Sequence, residues 1–478
     1  MGTTNVYAIT DTHQDTRKTR TLLSEAINGA NKSDNVLLLN AGDMFKGIYP
    51  KPLEADSYIK AKELSPDMEI VITLGNNDFG FNKEHLDYLI STVQKFANKG
   101  IKTVCANIFD SKTNKRPSWI KPYTVVERDG DRTFITGFCI DDINSSGTSL
   151  VQKDKSLVED EIKRAIKEEN PDNVIILNHD YLDSSVEIYE DFKKDSLPPD
   201  VIIGGHDHTP KGHLHPERHI YYPAAFAQNM LNFKIINSNG KKQIEEPAII
   251  KESDIKINKD MEADIAQYER QTGLLDPIAP SVVDFYKKYS DPCSLGSFLA
   301  DEIKEETKTD ICLFSTGLTV KPLPYRENGN ITNYDFQKTM MAKLPIKKVT
   351  MTPNDLKEVL EWSYQKRTMD LYANPKFLQA SSNLEVKGTC DKKNKKYTVD
   401  EILIDGKSVL KENKPLTVAV DEFIAEGGQG FNMMKKFKKE DTGVRIDEAL
   451  KKALIEAPVK YKKGSTYPEY KITERIIE

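Results

Sequence analysis

The chain has 478 residues, enough for two or three folded units with more than one hydrophobic core. Apolar residues at 38% and charged residues at 30% exclude a disordered or fibrous chain, and a net charge of -6 gives no global pull toward a nucleic-acid polymer or an anionic membrane. No run approaches the roughly 18 apolar residues of a spanning helix, and five scattered cysteines without a CxxC pair indicate neither a disulfide framework nor a zinc ribbon.

Short β-rich runs open the chain at Val6–Thr10, Val36–Asn40, Ile70–Thr73, Val104–Ala106, Val174–Leu177 and Val201–Ile203. Polar or amphipathic helical stretches separate most of them, which predicts an α/β layered domain. The strongest runs end in polar or glycine-bearing turns: Asp11-Thr12-His13, Gly42-Asp43, Gly75-Asn76-Asn77-Asp78, His179-Asp180 and Gly204-Gly205-His206. Open α/β sheets place ligands at the carboxyl ends of strands, so the chemistry is expected along one edge.

From about Ser238 to Asp276 the composition turns charged, and Lys251–Arg270 reads as a linker strand followed by a helix. A second α/β pattern follows, with helix Leu295–Thr307, strand Ile311–Phe314, helix Pro353–Ser363 carrying proline in its first turn, strand Leu416–Val420 and a tight loop at Gly427–Gly430. The expected domains are 1–250, a linker with a helix over 251–280, and 281–478.

A dinuclear hydrolytic site needs hard oxygen ligands and imidazoles from several strand ends, with one carboxylate shared by two cations. Asp11, His13, Asp43, Asn76, His179, His206 and His208 supply that set in order. Four of the eight histidines fall in these turns, too many to be surface decoration. His213, His215 and His219, just beyond, have no acidic or cysteine partner and read as a polar hairpin rather than a third metal site.

The ordered set D-x-H, G-D, G-N-x-[DE], a late H, then G-H-x-H resembles the calcineurin-like metallophosphoesterases. Ser294-Leu295-Gly296-Ser297-Phe298-Leu299-Ala300-Asp301 and Glu422-Phe423 through Gly427-Gly428-Gln429-Gly430-Phe431 narrow the resemblance to the 5′-nucleotidase / 2′,3′-cyclic phosphodiesterase branch. It implies a four-layer αββα metallophosphoesterase domain followed by a smaller α/β nucleotidase-like domain, with substrate held between the two. It also implies two divalent ions, manganese, zinc or iron. Asp11, His13 and His208 would hold the first, Asn76, His179 and His206 the second, and Asp43 would bridge. A metal-bound hydroxide would attack phosphorus without a covalent protein intermediate.

The family motif after the third strand is Gly-Asn-His-[Asp/Glu], and its histidine is credited with stabilising the transition state or protonating the leaving oxygen. Here Asn77 and Asp78 occupy the catalytic positions, and Asn77 cannot titrate, so acid catalysis worth roughly 10²–10⁴ is at stake. Asp180 and Asp207 are candidates for a replacement acid, or orient the neighbouring histidines. In the second domain the resemblance places substrate contacts at Phe423, Gln429, Thr319 and Ile346, where the family has two aromatic rings, an aspartate and an arginine. Tyr221, Tyr222 and Trp362 are expected to serve packing.

The expected activity is therefore phosphoester hydrolysis (EC 3.1) on a nucleotide or a related small phosphomonoester. The alternatives are a nucleotide-binding or sensing module of reduced catalysis, and a phosphodiesterase for a different substrate. Met1–Thr4 shows no basic and apolar leader. A cytoplasmic location is expected if Met1 is the native start, the alternative being an exported or periplasmic form with its leader removed.

Overall fold

A computed structural model describes residues 2–33, 35–79, 83–128, 130–140, 150–208, 212–238, 240–288, 290–319, 321–340, 342–365 and 377–477. The chain divides into two compact units, Met1–Tyr268 and Glu269–Glu478.

In the first unit the elements run β1 (Gly2–Ile9), α1 (Thr16–Ala30), β2 (Val36–Asn40), α2 (Lys51–Leu64), β3 (Glu69–Ile72), α3 (Asn76–Phe79), α4 (Lys83–Asn98), β4 (Lys102–Thr103), β5 (Ile108–Asp110), β6 (Tyr123–Arg128) and β7 (Asp131–Cys139). They continue with β8 (Leu150–Gln152), α5 (Ser156–Glu169), β9 (Asn173–His179), α6 (Leu182–Lys194), β10 (Val201–Gly205), β11 (His213–His215), β12 (Ile220–Tyr222), β13 (Asn229–Ser238), β14 (Lys241–Ile244), β15 (Ala248–Lys251) and α7 (Lys259–Thr272). The unit boundary falls inside α7, so the 251–280 segment is divided between the two units; it holds the last residue of β15, the whole of α7 and a short strand, Pro277–Pro280.

One sheet has the order β14-β13-β1-β2-β3-β4, with β15 also on β13; the other runs β11-β12-β10-β9-β7-β6. β1 through β4 pair in parallel, as do β7, β9, β10 and β12, while β13 closes against β1 antiparallel. Alternate residues of both sheets meet in one core, with Val6, Ala8, Leu37, Leu39 and Phe233 facing Ile135, Ile175, Leu177, Val201 and Ile203. The opposite faces are apolar too. Ile9, Leu38, Ile70 and Ile72 meet Leu22, Leu23, Tyr58, Leu89 and Phe96 of α1, α2 and α4, and Phe134, Ile176 and Ile202 meet Ile162, Ile166 and Phe192 of α5 and α6. Strands buried on both faces read as continuous apolar runs, which is why they stand out in the sequence. The result is four layers, αββα.

One expected strand is corrected. Val104–Ala106 lies beyond β4, because the chain crosses between the sheets there: Val104 N–H still bonds Ile72 in the first sheet, whereas Ala106 N–H bonds Gly137 in the second. The apolar character of this run serves the crossing.

The second unit is built on a five-stranded sheet in the order Leu378–Ala380, Ile311–Ser315, Leu416–Asp421, Pro345–Met351, Lys439–Arg445. Helices Ser294–Thr307 and Ile446–Lys460 cover one face through Leu295, Leu299, Ile303, Leu450 and Leu454. Helix Pro353–Tyr364 and a four-stranded sheet contribute to the core on the other, through Leu356, Leu360, Val386, Val399 and Ile402. The Pro353–Tyr364 helix starts with a capping box, Thr352 and Asp355 each bonding the other's backbone N–H.

Candidate metal centre

The turns after β1, β2, β3, β9 and β10 meet at the carboxyl ends of the two sheets. Backbone bonds tie the first two together: Asp11 N–H reaches Gly42 O at 2.9 Å and His13 N–H reaches Asp43 O at 3.0 Å. Buried Glu54 on α2 anchors the first turn by accepting hydrogen bonds from Thr12 (2.7 Å), Thr16 (2.8 Å) and Thr19 (3.0 Å). Asp78 anchors the second, accepting from the backbone N–H of Asp43 and Gly75 at 2.9 Å and of Phe45 at 3.0 Å. At Gly75 a Cβ atom would lie 2.1 Å from Asp43 Oδ1, so only glycine lets the third turn approach that carboxylate.

Asp11, His13, Asp43, His206 and His208 all have left-handed backbone, with φ of 47°, 48°, 56°, 75° and 50°. Strained conformations in non-glycine residues persist where surrounding structure fixes them, and they gather at functional sites.

Their side chains form two groups that share Asp43. Asp11, His13, Asp43 and His208 offer ligand atoms within 4.8 Å of one another, and so do Asp43, His179 and His206. His208 Nε2 lies 2.9 Å from both Asp11 Oδ1 and His13 Nε2. On the other side His179 Nδ1 donates to Ala41 O at 2.7 Å, which aims Nε2 at Asp43 Oδ2, 3.3 Å away. Asn76 joins this group, its Oδ1 accepting from His206 Nδ1 at 3.2 Å.

The donors fit divalent cations. Two imidazole nitrogens aimed at each other at 2.9 Å need a proton or a cation between them. His179 Nε2 is buried without a hydrogen-bond partner among the described residues, a costly state for a polar atom that a cation relieves. The electrostatics agree. Burial opposes ionisation of Asp11 and Asp43, yet the facing histidines hold Asp11 down at about 2 and Asp43 below the usual carboxylate range. Burial pushes His13 down to about 4, whereas Asp43 overrides burial at His179 and lifts it to about 10.

Asn77 lies against this cluster. Its backbone N–H donates to Asp43 Oδ1 at 2.9 Å, its amide donates to Oδ2 at 2.6 Å, and its Oδ1 accepts from Lys46 Nζ at 2.9 Å. Asp78, expected in a catalytic position, is fully buried with its oxygens on the backbone N–H groups of Asp43, Phe45 and Gly75, which anchors the Asp43 loop. Asp180 is ion-paired with Lys155 and accepts from Tyr181 N–H at 2.7 Å; neither bond orients His179. His219 donates to Asp200 O and His215 lies 3.8 Å from Glu217, while the His213 side chain is outside the described residues.

Two aromatic walls carried no signal in the sequence. Phe226, with φ of 61°, sets its ring 5.0 Å from His13 and 5.2 Å from His208. Tyr181, 54% exposed, stands edge-on to His206 at 4.7 Å.

In the second unit the expected contacts divide. Phe423 is 44% exposed, and Gln429 sits in the glycine loop with φ of 52°, its Oε1 accepting from Ser315 Oγ at 3.4 Å. Trp362 does more than fill space, donating from Nε1 to Gln429 O at 3.3 Å. Ile346 and Thr319 are corrected: both are buried, Ile346 in a sheet core with Cys312 and Ala419, and Thr319 with its hydroxyl on Thr316 O. Neither presents a face to a ligand.

The calcineurin-like phosphoesterase family matches residues 4–210, and the 5′-nucleotidase C-terminal domain matches residues 272–436. A 5′-nucleotidase of Diplobatis ommata is 23% identical over 86% of this chain and 78% of its own length, and an apyrase of Anopheles gambiae is 22% identical over 86% and 77%. The crystal structure of a 5′-nucleotidase precursor from Thermus thermophilus shares the fold, with a TM-score of 0.72, 18% identity and 99% of each chain covered. With candidate metal-ligating residues at strand ends in the first unit and a glycine loop in the second, the chain belongs to the 5′-nucleotidase family with an N-terminal calcineurin-like metallophosphoesterase domain.

Proposed function

We propose that the chain is a dinuclear, metal-dependent hydrolase of nucleotides or closely related phosphate esters. The observation that carries this reading is the pair of donor groups sharing Asp43. Asp11, His13 and His208 would hold one ion and Asn76, His179 and His206 the other, with Asp43 common to both. The mixed imidazole, carboxylate and amide set suits manganese, zinc or iron. When bound, two such ions supply an activated water and neutralise charge on the phosphoryl oxygens.

The protein's own groups do the positioning. Asn77 and Asp78 fix Asp43 from side chain and backbone, Ala41 fixes the His179 ring, and Phe226 backs His13 and His208. In the second unit Phe423 offers an exposed ring for a nucleobase. The names of the relatives, 5′-nucleotidase and apyrase, support a nucleotide as the substrate class. The Thermus relative is described as a precursor, which supports the exported alternative for location.

The test is metal analysis of the purified protein, then hydrolysis of an activated aryl phosphate with manganese, then a panel of nucleoside mono-, di- and cyclic phosphates beside sugar phosphates. Two ions per chain and turnover of at least one nucleotide are expected; verified metal with no turnover of any ester overturns the reading. Asn77, which cannot titrate, favours one second reading, a binding module of reduced catalysis, for which a nucleotide would raise the melting temperature without product release.

A further inference from the structure

Lys46 enters the site from the loop that carries Asp43. Its backbone N–H donates to Gln14 Oε1 at 2.7 Å, and Gly47 N–H donates to the same oxygen at 2.6 Å. Gln14 directly follows His13, so one side chain ties the lysine to a ligand-bearing turn. The approach is close enough that a Cβ atom on Gly47 would sit 1.6 Å from His13 O. Lys46 itself has φ of 87°, a conformation that a lysine adopts only when its surroundings impose it. The ammonium that results is exposed and hydrogen-bonded to Asn77 Oδ1 at 2.9 Å.

The Asn77 amide links that ammonium to the shared carboxylate. Its Nδ2 donates to Asp43 Oδ2 while its oxygen accepts from Lys46. The group presented beyond Asn77 is therefore an exposed cation that carries N–H donors. A lysine ammonium is a point-charge binder of phosphate.

We propose that Lys46 contacts the phosphoryl or leaving oxygen of the substrate and, paired with Asn77, substitutes fixed positive charge for an acid. This assignment rests on the hydrolytic reading above. In hydrolysis the water oxygen bonds to phosphorus, the P–O bond to the leaving group breaks, and its electron pair stays on the leaving oxygen. The proton lost by water passes to solvent. An ammonium that keeps its proton stabilises a leaving group departing as an anion, such as phosphate, a nucleoside phosphate or an aryloxide. A departing alkoxide, more basic than the amine, can take the ammonium's proton, which solvent then replaces.

The experiment compares metal-loaded full-length wild type with K46R, K46M and K46Q. Inorganic phosphate binding is measured by calorimetry, beside kcat/KM for an inorganic or nucleoside diphosphate, an aryl phosphate and glycerol 2-phosphate. The neutral variants are expected to bind phosphate about 10- to 100-fold more weakly, the loss of one charged hydrogen bond, with metal content and melting temperature unchanged. K46R should stay near wild type, and kcat/KM should fall in K46M and K46Q for every ester that wild type turns over. Unchanged phosphate affinity in both folded neutral variants overturns the proposal. Lysine-dependent phosphate binding in a protein with no turnover would sink the hydrolytic reading and leave the contact standing.

Discussion

Asn77 grips Asp43 from both its backbone and its side chain, placing N–H donors 2.9 Å and 2.6 Å from the two carboxylate oxygens. The residue standing at the family's histidine position therefore orients the shared ligand. Groups that orient metal ligands are typically worth about 10- to 100-fold in affinity or activity. Asn77→Ala should accordingly weaken metal binding by roughly that factor, read by competition with a chelator. Asn77→His should instead raise turnover of alkyl phosphomonoesters, because it restores a titratable donor. An unchanged or lower rate in that variant would show that another group already supplies the proton.

Asp78 gives a different prediction, because its hydrogen bonds go to backbone N–H groups and not to a candidate ligand's side chain. It accepts from three buried backbone N–H groups, on Asp43, Phe45 and Gly75. Asp78→Ala leaves three donors unpaired, at about 1–3 kcal/mol each before relaxation. Loss of several kcal/mol of stability is expected in chemical denaturation, together with loss of metal. Asp78→Asn, which keeps an acceptor oxygen, should recover part of the stability. Full stability in the alanine variant would remove Asp78 from its anchoring role.

The candidate ligands were legible in the sequence because each sits where an apolar run stops beside a glycine or a second polar residue, as in Gly42-Asp43 and Gly205-His206. That juxtaposition reflects physics: strands buried on both faces must be apolar, and turns at their ends need glycine and tolerate strain. The supporting groups leave no such trace. Gln14, Lys46, Glu54 and Phe226 act through tertiary approach, and nothing periodic marks a lysine that folds back on an asparagine 31 residues later. Strand β7 was missed because its first residues, Asp131-Arg132-Thr133, are polar, while Val104–Ala106 looked like a strand because a crossing between two sheets is equally apolar. Thr319 and Ile346, expected as contacts, are buried. Counting positions from a resemblance says nothing about which way a side chain faces.

Metal removal should cost stability. The site brings two buried carboxylates and four imidazoles together, and His179 Nε2, 3.3 Å from Asp43 Oδ2, makes no hydrogen bond among the described residues. Any ligand that binds only the folded state stabilises it by mass action, about 2.7 kcal/mol at a hundred times its dissociation constant. Chelation should lower the melting temperature by roughly 5–10 °C, and readdition of manganese or zinc should restore it. Identical melting curves with and without chelator, with metal loss verified, would mean that the cluster does not bind cations in the folded protein.

Glu54 gives the fold a pH dependence of defined sign. Burial lifts its carboxyl from 4.5 to about 7, against the three threonine hydroxyls that favour the ionised form. Between these values the folded chain keeps a proton that the unfolded chain has released. Stability from this group is therefore fully present below about pH 4.5, declines as pH rises toward 7, and is level above. The upper limit is roughly 3 kcal/mol. Glu54→Gln stays neutral throughout and keeps an acceptor for Thr12, while the Thr16 hydroxyl can turn to accept from the new amide. The melting temperature of the variant should therefore gain on wild type as pH rises from 5 to 8. A difference between the two proteins that stays constant over that range would show that Glu54 does not change protonation there.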